Sequence, residues 1–153
     1  MSANEKNLFQ TTIKIWYKSL PLLPKVPWPI IDIKLSNQKI SLPQPLLTLV
    51  DSGANLSILH PMVAEALGFN LKKIGPAKPG GISVSGNYES WILPQPVDVN
   101  VYGYHFQCRF IVINNPKLIW ACILGEDSIF QFARLDFQKF KGYFEVRFRT
   151  DIN

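Results

Sequence analysis

Twelve prolines and nine glycines punctuate this 153-residue chain so often that no long helix fits between them, because proline removes a helix donor and glycine raises the cost of ordering the backbone. Punctuation of this density favours many short strands joined by tight turns. The intervening segments agree. Thr12-Ile13-Lys14-Ile15-Trp16 alternates polar and apolar residues in the manner of a half-buried strand. Residues 30–35 and 39–42 flank Ser36-Asn37-Gln38 as the arms of a hairpin, and Val97, Val99 and Val101 alternate in a second hairpin that turns about Gly103, with arms at 96–102 and 105–113. Further strands are expected at 45–50, 56–59, 118–124, 133–137 and 143–148. Two short helices complete the pattern. Pro61 suits a first helical position, Met62, Val63, Ala66 and Leu67 recur at helical spacing, and Gly68 follows the end; the second helix is expected near residues 127–132. The reading is all-β.

The length allows one domain with a sizeable core. With 47% apolar and 18% charged residues, a disordered chain is excluded. Residues 1–27 read as a polar tail, a strand and a stiff lead-in carrying Pro21, Pro24 and Pro27, and residues 28–153 as the main domain. The net charge of +5 raises the question of a nucleic-acid partner, but the basic residues are scattered. Only Lys72-Lys73 and the stretch from Lys139 to Arg149 cluster at all, and a solvated surface accounts for both. Cys108 and Cys122 lie in apolar runs, where free thiols behave as small hydrophobes, although a disulfide stays open. His60, His105 and the cysteines lack the spacing of a zinc site, so no metal is expected. No apolar run is long enough to span a bilayer and no signal peptide stands out, so the expectation is a cytoplasmic protein away from membranes.

One segment carries chemistry. Leu49-Val50-Asp51-Ser52-Gly53-Ala54 puts an aspartate in a sharp glycine turn directly after an apolar strand, with Ser52 able to tie the turn down. Much later, Ala121-Cys122-Ile123-Leu124-Gly125 repeats the apolar-run-then-glycine pattern. Together these resemble the retropepsin-like aspartic proteases, in which an Asp-Ser/Thr-Gly-Ala turn sits above an apolar-apolar-Gly element. The resemblance covers roughly residues 28–140. It implies a closed barrel with a flap hairpin and two short helices, one lobe per chain.

The same resemblance implies an endopeptidase that uses Asp51 as its catalytic carboxylate and needs no cofactor. Such hydrolysis takes two carboxylates sharing a proton, and this chain has one such turn, so the second Asp51 is expected from the partner in a homodimer. Ser52 would lock the two turns together, Gly53 would let the backbone of a peptide or polyprotein substrate approach, and Ala54 adds no hydroxyl to the carboxylate. Ile123, Leu124 and Gly125 would pack beneath the turn. Gly80-Gly81-Ile82 resembles a flap tip closing over the substrate. Two positions depart from the retroviral pattern. An acidic residue after the Ala and an Arg after the Gly are usual there, and this chain has Asn55 and Glu126. The alternatives are a non-catalytic dimerisation or peptide-binding module of the same fold, and a basic nucleic-acid-binding barrel.

Overall fold

A computed structural model describes residues 11–83 and 86–151. About half of them lie in fourteen short strands: β1 (Ile13–Trp16), β2 (Lys18–Leu20), β3 (Leu23–Trp28), β4 (Ile30–Ser36), β5 (Leu46–Val50), β6 (Ile58–Leu59), β7 (Lys78–Ser83), β8 (Gly86–Ile92), β9 (Val97–Val101), β10 (Tyr104–Cys108), β11 (Ile111–Ile113), β12 (Cys122–Leu124), β13 (Ala133–Gln138) and β14 (Tyr143–Phe148). Three short helices, α1 (Pro61–Ala66), α2 (Leu71–Ile74) and α3 (Ile129–Phe132), and one 3-10 turn at Lys139–Lys141 interrupt them.

Nine strands form one sheet in the order β10-β9-β4-β5-β12-β6-β11-β8-β7; β1-β14-β13 form a second, and β2-β3 stand as a separate pair. Among the described residues the ends of the long sheet, β10 and β7, do not pair, so the expected closed barrel is not what the strand order gives.

The central strands are buried on both faces, which is why they read as continuous apolar runs instead of alternating ones. Ile31, Ile33, Val50, Cys122 and Leu124 point into the main core. Their neighbours Ile30, Leu49 and Ile123 point the other way, into a smaller cluster with Leu20 and Trp120. Cross-strand register makes that second face a continuous row, because Ile30 opposes Leu49, Leu49 opposes Ile123, and Ile123 opposes Ile58. The strands β9 and β14 cover only one core face, and there the period of two is plain: Val97, Val99 and Val101 are buried, as are Phe144, Val146 and Phe148.

Local chemistry sets the turns. The β9–β10 hairpin turns through Tyr102 and Gly103, both at positive φ, and the Gly103 N–H donates to Asn100 Oδ1 at 2.8 Å. At α1 the cap is His60, whose Nδ1 accepts the Met62 N–H at 3.0 Å. That leaves the proton on Nε2, which donates to the Pro116 carbonyl at 3.0 Å. His60 is a helix cap in this fold, and among the described residues no cluster of side chains suits a metal ion.

Several expected boundaries shift. Residues 39–42 make no strand; only a bridge from Ser36 to Ser41 marks that side, because Asn37 Oδ1 accepts the amides of Lys39 and Ile40 and rounds the chain off. The expected strands at 56–59 and 118–124 shorten to β6 and β12, and the arm expected at 105–113 divides into β10 and β11. The lead-in prolines do keep the chain extended, but as the hairpin β2–β3.

Candidate active site

The site grows from the end of β5. Val50 donates its N–H to the Pro29 carbonyl at 3.0 Å, and Asp51 donates its own to the Leu124 carbonyl at 3.0 Å, so the aspartate leaves the sheet with its backbone held on both sides. The chain then reverses within three residues. Gly53 N–H donates to Asp51 Oδ1 at 2.9 Å and Ala54 N–H to the Asp51 carbonyl at 3.2 Å. One carboxylate oxygen is thereby oriented by the turn's own backbone. Ser52 and Gly53 are exposed, while Asp51 and Ala54 are half-buried.

Beneath the turn, β12 runs parallel to β5 and antiparallel to β6, inserted between the two strands that flank the aspartate. The residue that follows it must be glycine. A Cβ on Gly125 would stand 2.3 Å from the Ala54 carbonyl oxygen and 3.1 Å from that of Leu56. The next amide, Glu126 N–H, donates to that same Ala54 oxygen at 2.8 Å. Leu124 and Gly125 therefore lie against the Asp51 turn, and Ile123 packs in the smaller cluster beside Ala54.

A buried hydroxyl fixes this element from behind. Ser57 Oγ accepts the Gly125 N–H at 2.9 Å and lies 2.6 Å from Asp127 Oδ1 and 2.7 Å from Ser128 Oγ. The single Ser57 proton goes to the carboxylate, so Ser128 is the donor in its contact with Ser57. Ser128 also reaches the Gly125 carbonyl at 3.2 Å. Ser57 and Ser128 are fully buried. None of the three stands out in the sequence, where Ser57 reads only as the last residue of an Asn55-Leu56-Ser57 glycosylation signal; its burial and its bonds leave that hydroxyl engaged.

The remaining aspartates have partners elsewhere, Asp136 accepting from Gln138 Nε2 at 3.3 Å. Asp32 pairs with Lys18 at 3.1 Å, Asp98 with His105 at 2.8 Å and Asp151 with Arg149 at 2.8 Å, while Asp127 faces Ser57. Asn55 carries no charge to pair with Glu126, and among the described residues Glu126 is in no ion pair. Cys108 and Cys122 are free thiols in the main core. Burial first, and then the Asp127 charge, push the Cys108 thiol up to about 12 against the opposing hydrogen bonds of Ser57 and Ser128. Burial likewise pushes Cys122 well up.

The glycine-rich segment departs from its expected placement. Gly80, Gly81 and Ile82 lie in β7, the first arm of the β7–β8 hairpin, where Gly81 opposes Tyr88 and Ile82 opposes Asn87. The pairing slips between Pro79 and Gly81, so the extra residue sits in the arm. The turn joining the arms, Val84-Ser85, falls outside the described residues. At the base of this hairpin Trp91 Nε1 donates to the Gly75 carbonyl at 2.9 Å.

No family model and no curated protein matches the chain. Among solved structures it is similar to a retropepsin-like aspartic protease from Rickettsia conorii, with 17% identity over 91% of this chain and 94% of that one and a TM-score of 0.53. An EIAV protease complexed with the inhibitor HBY-793 matches at 25% identity over 68% of this chain and 86% of that one, with a TM-score of 0.48. The retroviral protease-like domain of Ddi1 from Leishmania major matches at 21% identity over 69% of this chain and 79% of that one, also with a TM-score of 0.48. The Rickettsia comparison covers nearly the whole chain, and on it this protein has a retropepsin-like fold.

Proposed function

We propose that this chain is an aspartic endopeptidase acting as a homodimer, with one Asp51 from each copy forming the catalytic pair. The observation that carries the reading is the seating of Asp51: its amide is held by Leu124, one of its carboxylate oxygens by the Gly53 N–H, and the whole turn rests on a glycine that leaves no room for a side chain. A carboxylate fixed this way is preorganised, which is what general acid–base chemistry on a peptide asks of it. In the reaction one carboxylate takes a proton from water as that water attacks the scissile carbonyl. The other, protonated, donates to the carbonyl oxygen.

One chain offers a single such turn, so the second carboxylate comes from a copy related by a two-fold axis. The exposed Ser52 and Gly53 are the part of the turn available to that copy and to a substrate. Extended peptide would lie beside the turn, with the β7–β8 hairpin that carries Gly80, Gly81 and Ile82 as the element closing over it.

Incubating the purified chain and its Asp51→Asn variant with a mixed peptide library at several pH values tests the reading. Hydrolysis by the first and none by the second is the expected result; equal hydrolysis by a folded variant sinks it. A second reading, a peptide-binding module without catalysis, is favoured by Asn55 and Glu126, which leave the edge of the site without an ion pair. Peptide binding without cleavage by the native chain is its signature.

A further inference from the structure

We propose that the turn joining β13 to β14, together with the end of β1 beside it, docks this chain on the surface of a bilayer that carries anionic phospholipid. The surface belongs to the three-stranded sheet and does not depend on the Asp51 reading.

Strand β14 buries Phe144, Val146 and Phe148, so Tyr143 and its alternates face outward, and β1 buries Ile15 and turns Lys14 and Trp16 outward. Register then sets Trp16 beside Tyr143. The two rings meet edge to face at 5.4 Å, and Trp16 stays 58% exposed. Just before Tyr143 in the chain, the 3-10 turn Lys139–Lys141 holds Phe140, 86% exposed, between two exposed lysines. That turn is firmly set. The Gly142 N–H donates to the Lys139 carbonyl at 2.9 Å, the Gly142 carbonyl accepts the Tyr17 N–H at 2.9 Å, and a Cβ at position 142 would stand 3.8 Å from the Trp16 ring. Three rings therefore share one end of the sheet, and a fixed backbone holds Phe140 out in water, where its burial free energy goes unused.

The charges at this end are of one sign. Lys14 has a carboxylate directly across the strands in Glu145, yet its ammonium turns to the rings instead, 4.0 Å from the Tyr143 centroid and 4.7 Å from that of Trp16. Lys141 Nζ lies 5.5 Å from the Phe140 centroid. Among the described residues Lys14, Lys139 and Lys141 are in no ion pair. Glu145 and Asp136 oppose each other two residues along the strands from the Tyr143 row, set back from it by about 7 Å. The turn end is thus aromatic and cationic, and its complement is negatively charged outside and apolar beneath.

A bilayer surface with anionic lipid has that layering. Aromatic rings settle at headgroup depth, and each lysine close to an anionic leaflet adds attraction. A single-stranded nucleic acid needs open ring faces for its bases to stack on, and here ammonium groups lie over them. An acidic peptide would answer the lysines and leave Phe140 bare. Among the described residues no helix is long and apolar enough to cross a membrane, and lying on its surface needs none.

The test is co-sedimentation of the full chain with vesicles of phosphatidylcholine alone, and with about one-third phosphatidylserine, at low and high salt. Binding to the anionic vesicles alone, weakened by salt, is the expected result. Lys139→Gln with Lys141→Gln should weaken it about thirtyfold, and Phe140→Ser about tenfold. These side chains are exposed, so both variants should melt with the native chain. Trp16→Phe should keep most of the binding and abolish the blue shift of tryptophan fluorescence that vesicles produce, because Trp28, Trp91 and Trp120 pack against the two apolar clusters. A native chain that ignores anionic vesicles overturns the docking surface, as does binding that both folded variants retain in full. Binding to single-stranded DNA or to polyglutamate without binding to vesicles gives the patch a different partner and overturns the bilayer.

Discussion

The Ala54 carbonyl oxygen occupies the space that any side chain at position 125 would need, 2.3 Å from where its Cβ would stand. Gly125→Ala must therefore push the turn off β12 and strain the Leu124–Asp51 and Glu126–Ala54 hydrogen bonds together. The expected cost is about 2–3 kcal/mol of stability, with peptide hydrolysis lost. Thermal unfolding and an activity assay on the soluble variant check it, and a variant with native melting would contradict the geometry.

Ser57 supplies the buried acceptor for the Gly125 N–H. Ser57→Ala leaves that buried donor without its acceptor and takes a hydroxyl donor from Asp127 Oδ1, for a loss of about 1–3 kcal/mol. Ser57→Thr retains the hydroxyl and should recover most of the loss if its methyl is accommodated. Denaturant unfolding of the pair of variants measures the difference, and equal midpoints would show that the hydroxyl has no such role.

If each copy contributes one carboxylate, Asp51→Asn subunits added to the native chain should inhibit it by forming mixed dimers with a single carboxylate. Inhibition should grow with the proportion of variant after the subunits have had time to exchange. Activity that stays proportional to the native chain alone would mean that one copy suffices.

The two thiols give a prediction about pH. Cys108 is held protonated in the folded chain to about 12, against an ordinary value of 9.0, so the unfolded chain gives up its proton first as pH rises. By linkage the burial of this thiol favours folding fully below pH 9 and progressively less between about 9 and 12. Chemical denaturation midpoints should fall across that window, and the fall should shrink in Cys108→Ala. At pH 8 neither thiol should react with a disulfide reagent until the chain unfolds.

The Asp51 turn and its partner glycine were legible because each is a local pattern, an apolar run closed by a residue with special backbone needs. The limits of α1 followed from Pro61 and Gly68, though not its His60 cap, and the β9–β10 hairpin followed from the alternation of valines about Gly103. The Ser57–Asp127–Ser128 cluster was not legible, since it joins residues about seventy positions apart and none of them has an unusual neighbourhood. Helix α2 hides for the opposite reason: it is a single turn started by Asn70 and stopped by Gly75, too short to show a period. The glycine pair at 80 and 81 signalled a turn, but a bulge uses the same residue type, and the register slip after Pro79 shows which it was.

The insertion of β12 between β5 and β6 also sets an order of events during synthesis. The strands on either side of Asp51 leave the ribosome more than sixty residues before the one that separates them. Until residues 122–126 have emerged, the Asp51 amide has no Leu124 carbonyl to meet and the turn has nothing beneath it. A nascent chain stalled short of that point would carry the whole Asp51 motif without the backbone partners that seat it.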